Sequence, residues 1–328
     1  MVPTLLLAVV ALALGCSAPR DPTPKSTPPP APLAAPKLAP SSPEPEAAVA
    51  PAEVTTKGPP PSTTPNYDLA HDLGVRDADA HTRLGKGIET ATVGGVFLLV
   101  GARGFTGGAF AQSRDLVTRA LAAFTNGRFA KTPREAITVY LFGDAASYGA
   151  FCKAAIHEPC ISPYGFYWPS ERWMVMNAGL GLGTLTHELV HPLVEADFPR
   201  APTWLNEGIA SVFEAPAFTK PGEIHGVKNW RLPRLKQALA SGERPKALPH
   251  TLFGMSDETF RDDDESLHYA LARYVCQWLD ERGKLWDFYH AFRDERDADP
   301  SGEKAFTRVV GMTPVEADRA FLGWLSRL

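Results

Sequence analysis

The chain has little net charge, no long run of like charge and no internal repeat. Its formal charge at pH 7 is -4, from 33 lysines and arginines against 37 aspartates and glutamates. The lack of a basic surplus argues against a nucleic-acid partner, and the lack of an acidic run argues against an acidic tail. Global electrostatics therefore favours no class of partner, and function has to be inferred from a local site.

The apolar run at the start of the chain is too short to span a bilayer. It lies in "MVPTLLLAVVALALGC", and polar, proline-rich sequence follows it at once. This arrangement is typical of a secretory signal rather than of a transmembrane helix. We therefore expect an exported protein.

The cysteine that ends this run makes it resemble a bacterial lipoprotein signal. The resemblance implies a signal of residues 1–16 ending at Cys16, which receives lipid, becomes the mature N-terminus and attaches the protein to a membrane of the cell envelope. Ser17, in place of an aspartate, implies the outer membrane. No lysine or arginine precedes the run, and Ala13 stands where leucine is more common. A plain cleaved signal with an incidental cysteine is therefore the alternative.

Residues 17–66 consist almost entirely of proline, alanine, serine, threonine and glutamate, and 17 of the 31 prolines precede residue 67. Such a segment lacks the apolar side chains that offset the entropy of ordering, so we expect an extended, disordered tether. A proline-rich ligand for another domain is the alternative. Residues 67–328 are long enough for one globular domain, which we expect to be a monomer.

Cysteine is scarce, with four in the chain. Cys152 and Cys160 bracket "KAAIHEP", and export exposes a protein to an oxidising compartment, so we expect a local disulfide there. A pair of metal thiolates is the competing interpretation, but the second pair that such a site needs is missing. Cys276, within "YALARYVCQWL", is expected to be a buried core thiol.

Strand patterns dominate the first half of this domain and helical patterns the second. We predict strands at 93–100 and 136–143, a helix at 112–124, a helix capped by Asp144, and a hairpin joining "YGFYW" to "RWMVMNA". The later helices are predicted at 184–196, 203–215, 228–240, 264–281, 283–294 and 314–327. This order predicts an α+β fold, with a small mixed sheet followed by a mainly helical half.

The segment "THELVH" places two histidines four residues apart. On a helix, His187 and His191 would share one face about one turn apart, which is the spacing that a tetrahedral zinc ion requires. Glu188 lies about 100° around the helix from His187. A carboxylate there is beside the metal and can take a proton from metal-bound water. Two histidines on a helix also occur as ordinary surface or core groups, so the motif alone does not decide.

The segment "PTWLNEGIASVF" predicts a second helix with Thr203 as its cap and supplies a further candidate ligand. Glu207 could complete a set of three ligands and leave the fourth position open for water, as in catalytic zinc sites. Gly208, costly within a helix, would allow close approach to the first helix. A glutamate on a solvated helix face is the alternative, but it explains neither the glycine nor the neighbouring Trp204.

Taken together, "THELVH" and "PTWLNEGIA" resemble the gluzincin metallopeptidases, the thermolysin-like clan, and in particular bacterial peptidase MA-like domains. The resemblance is specific around 183–214 and looser from 164 to 294. It implies a zincin-like fold, Zn²⁺ as cofactor, and the roles that follow. The ligands would be His187, His191 and Glu207; the base would be Glu188; Tyr269, or else His268, would stabilise the oxyanion.

The same resemblance implies that "RWMVMN" borders the active-site cleft. Two departures concern the site. Pro192 follows the second ligand and cannot donate a hydrogen bond to the Glu188 carbonyl, so the helix should kink. The acidic residue that many relatives place shortly after the third ligand is replaced by Ala210 and Ser211, which leaves Ser211 or Glu214 to orient a ligand histidine.

The sequence therefore predicts a secreted zinc peptidase that cleaves a peptide or protein substrate. Two alternatives stay open at this point: a non-catalytic binding lipoprotein on the same fold, and a zinc amidase that acts on cell-wall amides. The "GLGLG" run before the first helix lacks the lysine and spacing of a phosphate loop, so we interpret it as a flexible entry to that helix.

The composition of the tether yields a first prediction. A chain that begins at Tyr67 should unfold in one cooperative thermal transition with the midpoint of a chain that begins at Ser17, because the intervening residues bring almost no apolar surface to bury. Circular dichroism melting of both chains measures this. Loss of the transition in the shorter chain would show that the segment packs on the domain.

Overall fold

The structure, a computed structural model, describes residues 67–328. The predicted signal, the lipidated Cys16 and the predicted tether at 17–66 lie outside the described residues. Within the described part of the chain, no helix combines the length and apolar character needed to cross a membrane. The α+β fold class is confirmed: a mixed sheet is followed by a mainly helical C-terminal half.

Five strands form the main sheet in the order β1-β2-β3-β5-β4. Their bounds are Glu89–Val93 (β1), Phe97–Gly101 (β2), Ile137–Phe142 (β3), Gly165–Trp168 (β4) and Trp173–Asn177 (β5). The three central strands run parallel, whereas β1 and β4 pair antiparallel at the two edges. Two further strands of two residues each, Pro216–Ala217 (β6) and His225–Gly226 (β7), form a separate ribbon.

Twelve α-helices surround this sheet in the described part of the chain. Those before the candidate site are Leu69–Leu84 (α1), Gly108–Phe124 (α2) and Ala145–Ala155 (α3). The site involves Gly183–Glu188 (α4), Val190–Asp197 (α5) and Thr203–Val212 (α6). The remaining helices are Leu232–Leu239 (α7), Asp257–Phe260 (α8), Glu265–Glu281 (α9), Leu285–Glu295 (α10), Glu303–Val310 (α11) and Pro314–Leu325 (α12).

Alternation along the strands divides the core between the two faces of the sheet. In β3, Val139 and Leu141 belong to the large cluster formed with α2 and the C-terminal helices, whereas Tyr140 and Phe142 belong to a smaller cluster with α1 and α3. A period of two along each strand produces this division. The sheet is therefore the middle of three layers, with the helical half of the chain on one side.

Most predicted elements are present, but the strand predicted at 93–100 is wrong in its bounds. Gly94 and Gly95 have φ values of 59° and 77°, and they turn the chain between β1 and β2. The hairpin was not recognised because Val93 and Val96 flank the two glycines and make the segment look like one continuous apolar strand. The Asp144 cap and the β4–β5 hairpin are confirmed, with the Asp144 side chain accepting a hydrogen bond from the Ser147 amide.

Three helices were not predicted: α1, α8 and α11. The first, "LAHDLGVRDADAHTRL", is mostly polar and buries only Ala80 fully. Leu73 and Leu84 pack with Ala80 in the smaller core cluster, whereas Val75 is exposed. So few apolar positions in sixteen residues give a weak periodic signal.

Gly208 brings α6 against α9, and the prediction that it faces the first helix of the site is wrong. A methyl group on Gly208 would lie 2.8 Å from the Cys276 sulfur and 2.9 Å from the Ala272 carbonyl oxygen, both on α9. These distances are shorter than van der Waals contact, so the two backbones approach each other through the missing side chain. The position of Glu207 is therefore fixed by α9.

The two predicted disulfide cysteines are joined in the structure. Cys152 in α3 is bonded to Cys160 in the loop before β4. The bond attaches that loop to the outer helical layer. Cys276 is a free thiol, buried at the contact with Gly208.

A matched pair of glycine variants tests the α6–α9 contact. Gly208→Ala should destabilise the domain by about 1–3 kcal/mol, because the added methyl overlaps backbone atoms of α9 that cannot rotate away. Gly149→Ala, in α3 with no atom within 4 Å of the added methyl, should be neutral or stabilising by up to about 1 kcal/mol. Urea unfolding measures both, and equal stabilities would contradict the assigned contact.

Candidate metal centre

The predicted break at Pro192 is present but mild. The chain is helical over α4, leaves the helix at Leu189 alone, and resumes as α5 at Val190. Leu189 keeps helical dihedral angles, φ -63° and ψ -25°. The two histidines therefore stay about one turn apart, and their ring centroids are separated by 5.0 Å. Leu189 and Val190 are fully buried and anchor this segment in the core.

The second predicted helix is present as α6, although its predicted cap is wrong. Thr203 is the first helical residue, Pro202 precedes it as the N-cap, and the Thr203 hydroxyl donates to Asp257 instead. The helix is buried along nearly its whole length, Glu207 included, which is only 6% exposed. The alternative of a solvated surface glutamate at Glu207 is therefore excluded.

His187, His191 and Glu207 converge on one point. One nitrogen or oxygen atom from each of the three lies within 4.8 Å of the other two, and the group could hold a metal ion. Oε2 of Glu207 is 3.4 Å from Nε2 of His187 and 3.9 Å from Nε2 of His191. Two imidazole nitrogens and one carboxylate oxygen thus face a common space, which is the donor set of many catalytic metal sites.

Oε2 of Glu207 supplies an independent test of this assignment. The atom is buried and forms no hydrogen bond of acceptable geometry among the described residues; its nearest charged neighbour is Nε2 of His187, at ion-pair distance. A buried carboxylate oxygen without a partner is costly, and a cation is the natural compensation. Burial opposes the charged form of Glu207, yet His191, His187 and Arg261 together lower its pKa. The residues present therefore fit a metal ion.

Glu188 lies beside this group without belonging to it. Its Oε2 atom is 3.8 Å from Nε2 of His191, and the side chain is 8% exposed. Burial raises the pKa of Glu188, while the two histidines and the backbone N–H of Tyr167 in β4 act in the opposite direction. A buried carboxylate with a raised pKa, next to a metal site, is suited to accept and return a proton.

Glu214 takes the place of the acidic residue that was missing after the third ligand. Its Oε1 atom lies 3.2 Å from Nδ1 of His187, at ion-pair distance. Arg231 donates to both Glu214 oxygens, and Asn229 donates to one. Burial disfavours the charged carboxylate, but Arg231 and His187 lower the pKa of Glu214 to about 2. An ionised carboxylate here orients the His187 ring with Nε2 toward the metal site.

Two further contacts hold these groups in place. Nδ1 of His191 lies 3.1 Å from the side-chain oxygen of Asn206, one residue before Glu207. Burial would lower the pKa of His187, but the Glu207 and Glu214 carboxylates outweigh it and raise the pKa to about 10. On the ring nitrogen that faces away from Glu207, His191 has a hydrogen bond with Asn206, whereas His187 has Glu214 at ion-pair distance. Asn206 was missed because nothing in "WLNEG" distinguishes it from a surface asparagine.

Gly183, the first residue of α4, packs closely, so the interpretation of "GLGLG" as a flexible entry is wrong at this position. A methyl group there would lie 2.2 Å from the Glu214 carbonyl oxygen. The hydroxyl of Thr186 donates to the neighbouring Phe213 carbonyl oxygen at 2.7 Å. These two contacts attach the end of α6 to α4 and bring Glu214 beside His187.

Tyr269, rather than His268, lies close to the metal site. Arg261 donates to the Tyr269 hydroxyl at 3.3 Å and to Oε1 of Glu207 at 3.1 Å, which places the tyrosine next to the third candidate ligand. His268 is buried, and its Nδ1 lies 3.1 Å from the Phe260 carbonyl oxygen. It groups with Asp262 and Asp264 in a second acidic cluster. In that cluster Asp264 is already paired with Lys246 at 2.6 Å.

The strand that borders the site is β4, so the expectation that "RWMVMN" does so is wrong. That segment forms β5, which lies inside the sheet between β3 and β4. β4 is the edge strand, and its Tyr167 backbone faces Glu188. Both strands belong to the predicted hairpin, and the sequence does not show which of them lies at the edge.

Residues 182–296 match the family described as "Protein of unknown function (DUF1570)". The matched range covers roughly a third of the 328 residues and contains every residue of the site described above except Tyr167. None of the curated proteins matches the chain. The matched family specifies no reaction, so the chemistry has to be argued from the site itself.

Metal binding at this site is directly testable. The purified chain should carry one divalent metal ion, and the double variant His187→Ala, His191→Ala should carry almost none, because two of three ligands are lost. The matched control is His157→Ala, His225→Ala, which removes two exposed histidines outside the group. Inductively coupled plasma mass spectrometry measures the content. Unchanged metal in the first variant would refute the assignment.

Proposed function

We propose that this protein is a zinc-dependent peptidase. The observation that carries the proposal is the buried group of His187, His191 and Glu207, with an unpartnered Glu207 oxygen and the Glu188 carboxylate beside it. Two nitrogen donors and one oxygen donor favour zinc over magnesium or calcium, which prefer all-oxygen sites. Three protein ligands leave a fourth position for water or substrate. The resemblance of "THELVH" and "PTWLNEGIA" to gluzincins supports the same conclusion.

Bound zinc would polarise the substrate carbonyl and lower the pKa of a coordinated water molecule. Glu188 would accept the proton released from that water and pass it to the departing amine. Burial prepares Glu188 for this role because it raises the pKa of the carboxyl and makes the protonated form accessible. Tyr269 would donate a hydrogen bond to the oxygen that becomes negative during attack.

A peptide is the substrate class that the surroundings favour. The edge strand β4 pairs only with β5 in the five-stranded sheet, so the backbone groups along its outer side can pair with an extended chain. A surface cavity of about 770 Å³ is lined in part by Tyr148, Asn177 and Leu180. Glu188 is close enough to Tyr148 to add to the effect of burial in raising the pKa of Tyr148. The cavity offers space for a substrate side chain.

We also propose that the protein acts outside the cytoplasm, attached to the outer membrane of a bacterial cell envelope through lipid on Cys16. The disulfide between Cys152 and Cys160 supports export, because such bonds persist in oxidising compartments. The signal-like N-terminal sequence supports the lipid attachment. Metabolic labelling with a radioactive fatty acid, compared between the parent and Cys16→Ser, would test this placement.

Replacement of Glu188 tests the peptidase mechanism. Glu188→Gln should keep the metal and the fold but lower the rate of peptide cleavage by about a hundred- to ten-thousandfold, since it removes the proton acceptor. Cleavage of a fluorogenic peptide library measures the rate, and metal analysis verifies occupancy. Glu303→Gln, an exposed glutamate at the start of α11, is the matched control and should cleave at the parent rate.

Two outcomes would contradict the proposal. One is a Glu188→Gln protein that cleaves as fast as the parent. The other is a parent protein that binds zinc and cleaves no peptide in a broad library. The second outcome would favour a metal-containing binding protein, or an amidase whose substrate is a cell-wall amide, and purified peptidoglycan fragments would distinguish those two.

A further inference from the structure

Arg261 joins the third candidate ligand to Tyr269. The residue follows α8, and its guanidinium group donates to Oε1 of Glu207 at 3.1 Å and to the Tyr269 hydroxyl at 3.3 Å. A third contact, to Glu265, is 3.4 Å long. One side chain therefore connects α6, which carries the ligand, with α9, which carries the tyrosine.

The contact with Glu207 gives its two carboxylate oxygens different partners. Arg261 occupies Oε1, whereas Oε2 faces the two histidines and has no hydrogen-bond partner among the described residues. A guanidinium group is always charged and holds a fixed geometry. It therefore holds the carboxylate in the rotation that presents a single oxygen to the metal site.

The contact with Tyr269 determines which way its hydroxyl can donate. Arginine has only donors, so the tyrosine oxygen must be the acceptor in this hydrogen bond. The hydroxyl hydrogen then has to point elsewhere. The Tyr269 ring also packs on Phe260 at 5.1 Å and lies beneath Arg231 at 5.0 Å, so the ring itself has little freedom.

We propose that Arg261 is a positioning residue that sets both the metal-facing oxygen of Glu207 and the hydrogen-bond direction of Tyr269. This inference rests on the proposed metallopeptidase function. It makes Arg261 a direct connection between the geometry of the third ligand and the stabilisation of the oxyanion. The competing interpretation is an ordinary ion pair at the rim of the cleft, and such partly exposed pairs contribute little.

The sign of the change in metal affinity separates the two interpretations. Removal of a positive charge near a cation site removes Coulomb repulsion of the cation and should, by that effect alone, strengthen metal binding. Loss of a positioning contact should weaken it, and supporting residues of this kind typically change metal affinity by roughly ten- to a hundredfold. We expect Arg261→Ala to weaken zinc binding by that factor, measured by competition with a chromogenic chelator.

Arg234→Ala is the matched control. Arg234 makes a two-pronged ion pair with Glu243, at 2.6 and 3.1 Å. Its side chain is partly exposed, 24% against 36% for Arg261, and neither of its bonds to Glu243 involves Glu207 or Tyr269. Its zinc affinity should equal that of the parent. Thermal melting of the metal-free proteins checks that each variant folds. If Arg261→Ala does not fold, Arg261→Gln is used in its place.

The proposed effect of Arg261 on Tyr269 is tested by measuring kcat with zinc-saturated protein. Tyr269→Phe should lower kcat less in the Arg261→Ala background than in the parent. In that background the Tyr269 hydroxyl already lacks the hydrogen bond that orients it. Arg261→Lys should restore zinc affinity more than kcat, since one ammonium group is too compact to reach both partners.

Unchanged or tighter zinc binding in Arg261→Ala, or fully additive effects of the two substitutions on kcat, would overturn the inference. The zinc titration does not depend on cleavage. A parent that binds zinc but cleaves nothing would therefore refute the peptidase proposal while the role of Arg261 toward Glu207 is still measured.

Discussion

The cost of burying negative charge governs the arrangement of this site. Glu188, Glu207 and Glu214 are each less than 10% exposed and lie around the same pair of histidines. An anion removed from water costs several kcal/mol unless it is paired and hydrogen-bonded. Arg231 compensates Glu214 completely, and Arg261 compensates one oxygen of Glu207. The other Glu207 oxygen lies near the two histidines and forms no hydrogen bond among the described residues, so a metal ion held by this group could complete the charge balance.

That balance depends on close contacts between helices. Gly208 allows α6 to approach α9, and Gly183 allows α4 to approach the end of α6. A side chain at either position would separate the helices and move a carboxylate relative to the histidines. Such contacts set the distances between the four helices that carry the site residues between positions 187 and 269.

Features that depend on one element were predictable from the sequence, and features that depend on contacts between elements were not. The histidine spacing, the break before Pro192, the Asp144 cap and the β4–β5 hairpin each follow from local rules of geometry. The partner of Gly208, the edge position of β4, and the pairing of Arg231 with Glu214 involve residues distant in sequence. Local patterns carry no information about which helix approaches which, so the first assignments for Gly208 and for the bordering strand were wrong.

The edge strand has a consequence for how the protein behaves at high concentration. β4 is four residues long, and Pro163 and Pro169 stand close to its two ends. Because proline has no backbone N–H to donate, a neighbouring strand can form only a short ladder there. A strand of a second copy could therefore form only a short ladder at this edge, which limits sheet extension between copies, a usual route to aggregation. A short extended segment, such as the proposed peptide substrate, would need no longer ladder than this.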